Sequence, residues 1–385
     1  MIIAGEASGD LHASGLLREF KRLQSGAHFF GTGGDRMAAA GLETLYHIKD
    51  ISFLGFVEVL RHLPFIRRMM AKLLQETRRR RPRAVVLVDY PGFNLRFAAR
   101  LRKIPELQGI PILYYISPQV WAWRSSRVPQ IARLVDRMAV IFDFELPIYE
   151  AAGLRADFVG HPLLETARAE MSAADFRRQW EIPENAPLIA LLPGSRKQEV
   201  LSLFPLFLQT LKILRENSPQ LHALVGCSPA LHKSLYAQIL SDTGHSGPEI
   251  RLTSNQTYDL LTHSRVALVA SGTVTLEAAL MGTPMVMAYR VAPLTYFMGR
   301  ILVKIPNIAL VNVVAGKRIV PEFIQHEATP ERLADELSRL LADESYRAGM
   351  IEQLSQVRQK LGTPGASARV AKLLNDLILE GSSRA

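Results

Sequence analysis

The chain has 385 residues, which suits two domains better than one, and its 48% hydrophobic content is typical of parallel sheets buried on both faces. A single cysteine, Cys227, excludes an internal disulfide framework and a cysteine-built zinc site. The formal net charge of +10 favours an anionic partner, whether nucleic acid, a phospholipid surface or a phosphorylated substrate, and does not choose among them.

Short runs rich in Val, Ile and Leu alternate with amphipathic helical patterns along the whole chain. Strands are predicted in the first half at 84–89, 112–117 and 138–142, and in the second half at 188–192, 221–226, 250–253, 266–270 and 284–288. This alternation predicts two doubly wound α/β domains with parallel sheets. We expect domains at 1–162 and 163–364, with a C-terminal helix within 365–385 that packs on the first domain or on a second subunit.

No part of the sequence predicts a membrane-spanning or secretory segment. The N-terminus has no basic region and too short an apolar run for a signal peptide. The apolar stretch 266–289 carries only Glu277 as a charge, but Gly282 and Pro284 help to break it into a βαβ unit. We therefore expect a cytoplasmic protein.

The loop after the strand at 188–192 is predicted to bind a diphosphate. Gly194 and Ser195 suit a turn that exposes backbone donors, and Arg196 supplies a planar guanidinium for phosphate oxygens. The alternative is a capping serine beside a solvated arginine.

A second loop of the same sheet is predicted to complete a nucleotide site. Ser271, Gly272 and Thr273 precede a helix, where N–H dipoles and hydroxyls favour a phosphate. Glu277 lies one turn later on the same face, within reach of ribose hydroxyls. A helix-capping role for Glu277 is the competing interpretation.

In the first half, the loop at 5–10 follows the first strand. It fits neither the phosphate loop of nucleoside triphosphatases nor the dinucleotide-binding glycine pattern. Its glycines and Ser8 would let backbone N–H groups approach an anion or a sugar hydroxyl. A tight turn with Ser8 as a helix cap is equally consistent with the pattern.

Asp89 ends an apolar strand and is the candidate general base, because a desolvated carboxylate can take a proton. Capping of the next helix is its alternative role. The loop at 114–124 carries Gln119, Trp121, Trp123 and Arg124, which suit a sugar or lipid platform or a hydrophobic plug.

Metal chemistry is weakly indicated. Asp143 and Glu145 lie where a strand runs into a helix, which predicts a helix start rather than a metal site, and the histidines lack ligand spacing. His161 is interpreted as a hinge residue and Cys227 as a small apolar filler.

Residues 53–83 combine apolar residues at helical spacing with arginines and a lysine, a pattern typical of helices that lie on anionic bilayers. Core packing with a solvated basic face is the alternative. The residues predicted to contact a membrane are Phe56, Leu63, Phe65, Ile66, Arg67, Arg68, Met69, Met70 and Leu73.

Taken together, the motifs resemble those of the lipid-A-disaccharide synthase family, in order and over nearly the whole chain. They lie at 5–10, 53–60, 89–94, 117–124, 159–162, 192–196, 271–273 and 320–325. The resemblance implies a GT-B fold, with two facing Rossmann-like domains and a cleft between them. It also implies inverting transfer without a metal or other cofactor, from UDP-2,3-diacylglucosamine to 2,3-diacylglucosamine 1-phosphate. The expected products are the β-1′,6-linked disaccharide 1-phosphate of lipid A biosynthesis and UDP.

The resemblance further implies peripheral binding to the cytoplasmic face of the inner membrane and a homodimer that exchanges C-terminal elements. Asp89 would be the base, Arg196 would stabilise the leaving group, and Asn312 would contact the nucleoside together with Glu277. The residues expected to bind the acceptor are Glu6, Ser8, Gly9, Asn94, Gln119 and Trp121.

Two other classes compete with this reading. Another GT-B enzyme acting on a UDP-sugar, an epimerase or a peptidoglycan-type transferase, would have no acylated sugar for the basic helix to collect. A nucleic-acid-binding protein would use the positive charge, but the chain lacks the known signatures of such proteins, so we expect no nucleic-acid partner.

Overall fold

The computed structural model describes residues 1–51, 63–123, 125–245, 247, 249–292, 296–297 and 305–382. The chain divides into two compact units. Unit 1 comprises Met1–Glu165 and Leu361–Ala385, and unit 2 comprises Thr166–Lys360. Both units are parallel α/β structures, as the alternating pattern predicted.

The described part of unit 1 contains seven strands. They are β1 (Ile2–Ala4), β2 (Phe29–Gly33), β3 (Leu42–His47), β4 (Val85–Val88), β5 (Ile112–Tyr115), β6 (Arg137–Val140) and β7 (Ala156–Phe158). They form one parallel sheet in the order β3-β2-β1-β4-β5-β6-β7. All four residues of β4 are fully buried, because helices cover both faces of a doubly wound sheet.

Helices connect these strands. They are α1 (Ala7–Leu23), α2 (Asp35–Ala39), α3 (Leu63–Arg80), α4 (Pro91–Leu101), α5 (Val120–Trp123), α6 (Val128–Leu134), α7 (Leu146–Glu150) and α8 (Leu163–Thr166). Three 3-10 turns lie at Ile48–Asp50, Ser125–Arg127 and Asp143–Glu145. Helix α4 begins with Pro91, whose fixed φ and missing N–H suit the first turn of a helix.

The described part of unit 2 repeats this architecture with six strands. They are β8 (Leu188–Leu192), β9 (His222–Cys227), β10 (Ile250–Ser254), β11 (Val266–Ala270), β12 (Met285–Tyr289) and β13 (Glu322–Ile324). Their order is β10-β9-β8-β11-β12-β13, and every pairing is parallel. The predicted bounds of β8 and β11 agree with the structure residue for residue.

The helices of unit 2 are α9 (Ala173–Gln179), α10 (Lys197–Asn217), α11 (Lys233–Asp242), α12 (Thr257–His263), α13 (Val274–Met281), α14 (Leu310–Ala315), α15 (Pro330–Ala342) and α16 (Glu344–Lys360). A 3-10 turn follows β13 at Gln325–Glu327. Long apolar residues of α10, including Phe204 and Phe207, are fully buried in this unit.

The last helix, α17 (Ala366–Ser382), belongs to unit 1 and packs against α1. Val370, Leu374 and Leu377 are its buried apolar residues. This arrangement realises one of the two options that the sequence left open for the C-terminal helix. No helix in the described part of the chain combines the length and the apolarity needed to cross a bilayer.

We predict that Leu374→Ala selectively destabilises unit 1, because Leu374 is only 2% exposed on α17. Truncation of a buried leucine usually costs about 2–5 kcal/mol. Urea unfolding in a Trp180→Phe background would measure the effect, since Trp121 and Trp123 then report on unit 1 alone. The exposed Lys372→Ala on the same helix is the control, and equal shifts for the two variants would contradict this account.

Candidate functional site

The carboxyl ends of β1 and β4 form the first candidate site, in unit 1. These neighbouring strands lie where the strand order reverses, and ligands of open α/β sheets bind at such points. The loop after β1 presents Glu6 and Ser8 as exposed residues, and β4 runs directly into Asp89. The structure therefore brings the first-loop and Asp89 predictions together.

Asp89 sits in a strained turn. Its φ is 45° and that of Tyr90 is 48°, so two consecutive residues with side chains adopt the left-handed conformation. Ile116, after the adjacent strand β5, has a φ of 65°. Such strain costs free energy and concentrates at functional sites.

Two side chains hold this turn in place. The Asn94 amide donates to the carbonyl oxygens of Asp89 at 2.7 Å and Val88 at 3.2 Å, and the Tyr114 hydroxyl donates to the Asp89 carbonyl at 2.6 Å. Because Asn94 is fully buried, it fixes the Asp89 turn and does not reach an acceptor in this structure. Its prediction as an acceptor contact is corrected accordingly.

The Asp89 carboxyl is poised for proton transfer. Burial, and secondarily the nearby Glu6 carboxylate, raises its pKa from an ordinary 3.8 to about 6. A carboxylate with such a pKa is ionised at neutral pH and is a stronger base than a solvated aspartate.

The glycines of the first loop have packing roles. A side chain at Gly5 would overlap the ring of Tyr90, with atoms 2.3 Å apart. Gly9 is buried against Ala4 and Val88, which removes its Cα from the surface that an acceptor could touch. Its predicted acceptor contact is therefore also corrected.

The last residue of this loop, Asp10, has a structural role. Its buried carboxylate accepts hydrogen bonds from the backbone N–H groups of Gly34, Arg36 and Met37, so it caps α2.

The loop after β5 carries the predicted platform residues. Gln119 is exposed, Trp121 is half-buried and Trp123 is 44% exposed. The Trp121 indole packs edge-on against Phe144, with ring centroids 5.4 Å apart. These residues follow β5 and β6, at the same edge of the sheet as Asp89.

In unit 2 the strand order reverses between β8 and β11, and both predicted nucleotide loops follow these two strands. Gly194 has a φ of 115°, and a side chain there would meet Glu199 within 2.7 Å. The Glu199 carboxylate accepts the N–H groups of Ser195 and Arg196 at 3.0 and 3.2 Å. The predicted free backbone donors are thus already bonded.

What this loop presents is side-chain chemistry. The Arg196 side chain is 68% exposed and donates one N–H to Glu199 at 2.8 Å. A guanidinium has five N–H groups, so it can bind phosphate oxygens while it keeps this bond.

The loop after β11 leads into α13 as predicted. Gly272 has a φ of 137°, its carbonyl accepts from Thr275 Oγ1 at 2.8 Å, and Ser271 Oγ donates to the Ile308 carbonyl at 3.3 Å. Thr273 is exposed at the start of the helix. The Glu277 carboxylate accepts from the Tyr258 hydroxyl at 3.2 Å, and burial raises its pKa.

Asn312 was predicted to contact a nucleoside, and the structure assigns it a different task. It is fully buried; its amide donates to Val320 O and Glu322 Oε1, and its oxygen accepts the N–H groups of Ile319 and Val320. Glu322 also accepts the N–H groups before α14. Asn312 therefore shapes the backbone between α14 and β13, and its nucleoside contact is not retained.

The basic helix α3 divides into core and surface residues. Met69, Met70 and Leu73 are at most 3% exposed in the core, which removes them from the predicted membrane surface. Leu63, Phe65 and Ile66 are half-buried, and Arg67 and Arg68 are exposed. Phe56 lies outside the described residues.

Part of the basic character of α3 is used internally. The buried carboxylate of Glu76 contacts Lys72, Arg79 and Arg80 within 2.9 Å, and these partners lower its pKa to about 2. Arg80 also binds Glu43. The exposed basic surface of this helix is therefore smaller than its sequence suggests.

Sequence reasoning missed several residues that organise these loops. Glu199 lies three residues after Arg196, a capping-box spacing that could have revealed it. Glu145, taken only as a helix start, turns out to bind Ser117 and Trp121. Tyr114 and Tyr258 gave no sequence signal, because only the fold brings them to Asp89 and Glu277. Among the described residues, no three His, Cys, Asp or Glu side chains are grouped so that they could hold a metal ion.

Comparison with known proteins follows from this geometry. The family model described as lipid-A-disaccharide synthetase matches residues 1–373. A lipid-A-disaccharide synthase of Geobacter sulfurreducens is 43% identical over 378 residues, covering 98% of this chain and 97% of that protein. One from Anaeromyxobacter dehalogenans is 45% identical over 372 residues, covering 97% and 95%.

Solved structures show the same fold at low identity. A UDP-GlcNAc 2-epimerase from Neisseria meningitidis bound to UDP-GlcNAc matches with a TM-score of 0.62 and 11% identity, covering 98% of this chain and 99% of that chain. The glycosyltransferase of kitacinnamycin matches with a TM-score of 0.61 and 16% identity, covering 98% of each chain. The predicted GT-B class of α/β fold is confirmed by these neighbours.

We predict that Asp89→Asn stabilises the protein at pH 8. The folded pKa of about 6 lies above the ordinary 3.8, so ionisation of Asp89 disfavours the folded state increasingly as the pH rises from about 4 to above 6. The neutral variant should gain on the order of 2 kcal/mol at pH 8 and nothing at pH 3.5. Urea unfolding at both pH values measures this, with the exposed Asp50→Asn as control. A gain that does not depend on pH would refute the assignment.

Proposed function

Because the chain belongs to the lipid-A-disaccharide synthase family and is thus a glycosyltransferase of lipid A biosynthesis, we propose that it joins two diacylglucosamine units by metal-independent displacement. The donor is UDP-2,3-diacylglucosamine and the acceptor is 2,3-diacylglucosamine 1-phosphate. The observation that carries the proposal is that both strand-order reversals bear the chemistry: Asp89 with its raised pKa in unit 1, and Arg196 with the Ser271–Thr273 loop in unit 2.

Asp89 acts on the acceptor. Its carboxylate takes the proton of the acceptor 6-hydroxyl as that oxygen bonds to the anomeric carbon of the donor. The bond from this carbon to the diphosphate oxygen breaks, UDP leaves with the electron pair, and the configuration inverts. Glu6, Ser8, Gln119 and Trp121 are exposed or half-buried at the same edge of the sheet, which supports their role in holding the acceptor.

Arg196 acts on the leaving group. Negative charge develops on the diphosphate as UDP departs, and preorganised donors stabilise such charge strongly. The Arg196 guanidinium, the Ser195 hydroxyl and the start of α13 at Thr273 supply this stabilisation in place of a metal ion. Glu277, oriented by Tyr258, binds ribose hydroxyls.

The surface of unit 1 collects the acylated substrates. Arg67 and Arg68 are exposed on α3 beside half-buried Phe65 and Ile66, which suits peripheral binding to an anionic membrane surface. This places the enzyme on the cytoplasmic face of the inner membrane. A homodimer through C-terminal elements remains part of the proposal, with α17 as the element to exchange.

We expect the purified protein, in detergent and with EDTA, to form the disaccharide 1-phosphate only when both lipid substrates are present. Asp89→Asn and Arg196→Ala should each lower turnover by about 100-fold, the usual loss on removing a general base or a charge-stabilising donor. Mass spectrometry of the lipids measures the product.

Arg178→Ala is the matched control for Arg196, since Arg178 is 76% exposed in the same unit and pairs with Asp175. A near-normal rate for either active-site variant would remove that residue from the chemistry. UDP release without disaccharide would overturn the proposed acceptor.

We also expect Arg67→Glu combined with Arg68→Glu to weaken binding to anionic vesicles. Each basic residue near the surface contributes about 1 kcal/mol, so the loss should be at least about 30-fold. Flotation of the protein with vesicles measures it. Arg18→Glu with Arg100→Glu makes the same charge change on exposed residues elsewhere in unit 1. Equal losses for the two pairs would mean that net charge, and not this helix, drives binding.

A further inference from the structure

Glu145 is a buried carboxylate at the edge of the sheet that carries Asp89. It ends the 3-10 turn after β6 and is 2% exposed. Its Oε1 accepts the Ser117 hydroxyl at 2.5 Å and the Trp121 indole N–H at 3.1 Å, and its Oε2 accepts the Phe142 N–H at 3.3 Å. Burial of a carboxylate is costly unless donors of this kind compensate it.

Two of these three donors belong to the loop after β5. Glu145 lies 28 residues from Ser117 and 24 from Trp121 in the chain, so its carboxylate ties two loops of neighbouring strands together. Phe144 contacts the face of this arrangement edge-on to the Trp121 ring. Exposed Gln119 lies between the two tethered residues.

We propose that Glu145 is a positioning residue that holds Gln119 and Trp121 in the orientation that receives the acceptor sugar. This rests on the acceptor-binding role given to that loop above. Glu145 acts through Ser117 and Trp121 and does not touch the reacting atoms.

The chemistry of the contacts requires a carboxylate. All three partners are donors, and a carboxylate offers only acceptors. A glutamine of the same shape would turn its amide N–H groups toward the Phe142 N–H or, if flipped, toward the Ser117 hydroxyl and the indole. Either orientation opposes donor to donor, which loosens the loop without leaving a cavity.

Protonation should have a similar effect. Burial raises the pKa of Glu145 to about 7, and the three hydrogen bonds oppose that rise. Among the described residues around it, Tyr149 on α7 is neutral because burial raises its pKa, and His161, tilted against Phe142, is neutral because burial lowers its pKa to about 3. Asp143 is exposed. A protonated Glu145 turns one acceptor into a donor, so acceptor binding should weaken as the pH falls below about 7.

The test is steady-state kinetics of Glu145→Gln with both lipid substrates varied separately. We expect the KM for the acceptor to rise about 10-fold or more, which corresponds to losing one hydrogen bond to a charged group, with the KM for the donor unchanged within twofold. The wild-type dependence of the acceptor KM on pH near 7 should vanish in the variant. Glu150→Gln, an exposed glutamate on α7, is the control.

A double-mutant cycle with Trp121→Phe isolates the contact, since phenylalanine keeps a ring and removes the indole N–H. If Glu145 acts through Trp121, adding Trp121→Phe to Glu145→Gln should raise the acceptor KM far less than the product of the single effects. Ser117→Ala tests the other tether in the same way. Should Glu145→Gln fail to fold in thermal unfolding, the two partner variants carry the test by themselves.

An acceptor KM unchanged in Glu145→Gln, or additive effects in the cycle, would overturn the positioning role. A parallel rise in both KM values would assign Glu145 to general stability instead. These outcomes are separable from failure of the proposed mechanism, because Asp89→Asn tests the base through turnover while Glu145→Gln tests binding of the acceptor alone.

Discussion

Both sheets are parallel throughout, and this one constraint places the chemistry of the protein. Helices cover both faces of such a sheet, so its strands are apolar on both sides, as the fully buried β4 and β11 show. Polar groups can then gather only where strands end and loops begin. Strand order reverses between β1 and β4 in unit 1 and between β8 and β11 in unit 2. The loops diverge at these reversals and leave room for a ligand, and Asp89 and Arg196 lie in the loops that do so.

The cost of this placement is visible in the backbone. Asp89 and Tyr90 are both left-handed, and the carboxyl of Asp89 is buried enough to raise its pKa to about 6. Hydrogen bonds from Asn94 and Tyr114 to the Asp89 carbonyl offset part of this cost. The turn thus trades stability for a carboxylate that is ionised at neutral pH and still basic, which is why removing its charge is expected to stabilise the fold and abolish turnover.

Helix α3 shows how structural and functional demands share one amphipathic pattern. Its apolar stripe is wide enough to fill the core with Met69, Met70 and Leu73 and still leave Phe65 half-buried at the surface. The arginines near its C-terminal end mostly neutralise the buried Glu76 and only partly face solvent. A basic amphipathic helix can therefore serve the core along one part of its length and an anionic surface along another.

The sequence by itself determined the fold class, most strand positions, the loops that carry the site and the family, because each of these depends on local pattern or on motifs of adjacent residues. Residues such as Asp89, Arg196 and Ser271 could be found in this way. Only the tertiary structure decided what Asn94 and Asn312 bind, that Glu199 occupies the backbone donors after β8, and that Glu145 tethers Trp121 from 24 residues away. The physical reason is that a buried polar side chain takes its role from whichever partners the fold brings within hydrogen-bond distance, and those partners are not neighbours in the chain.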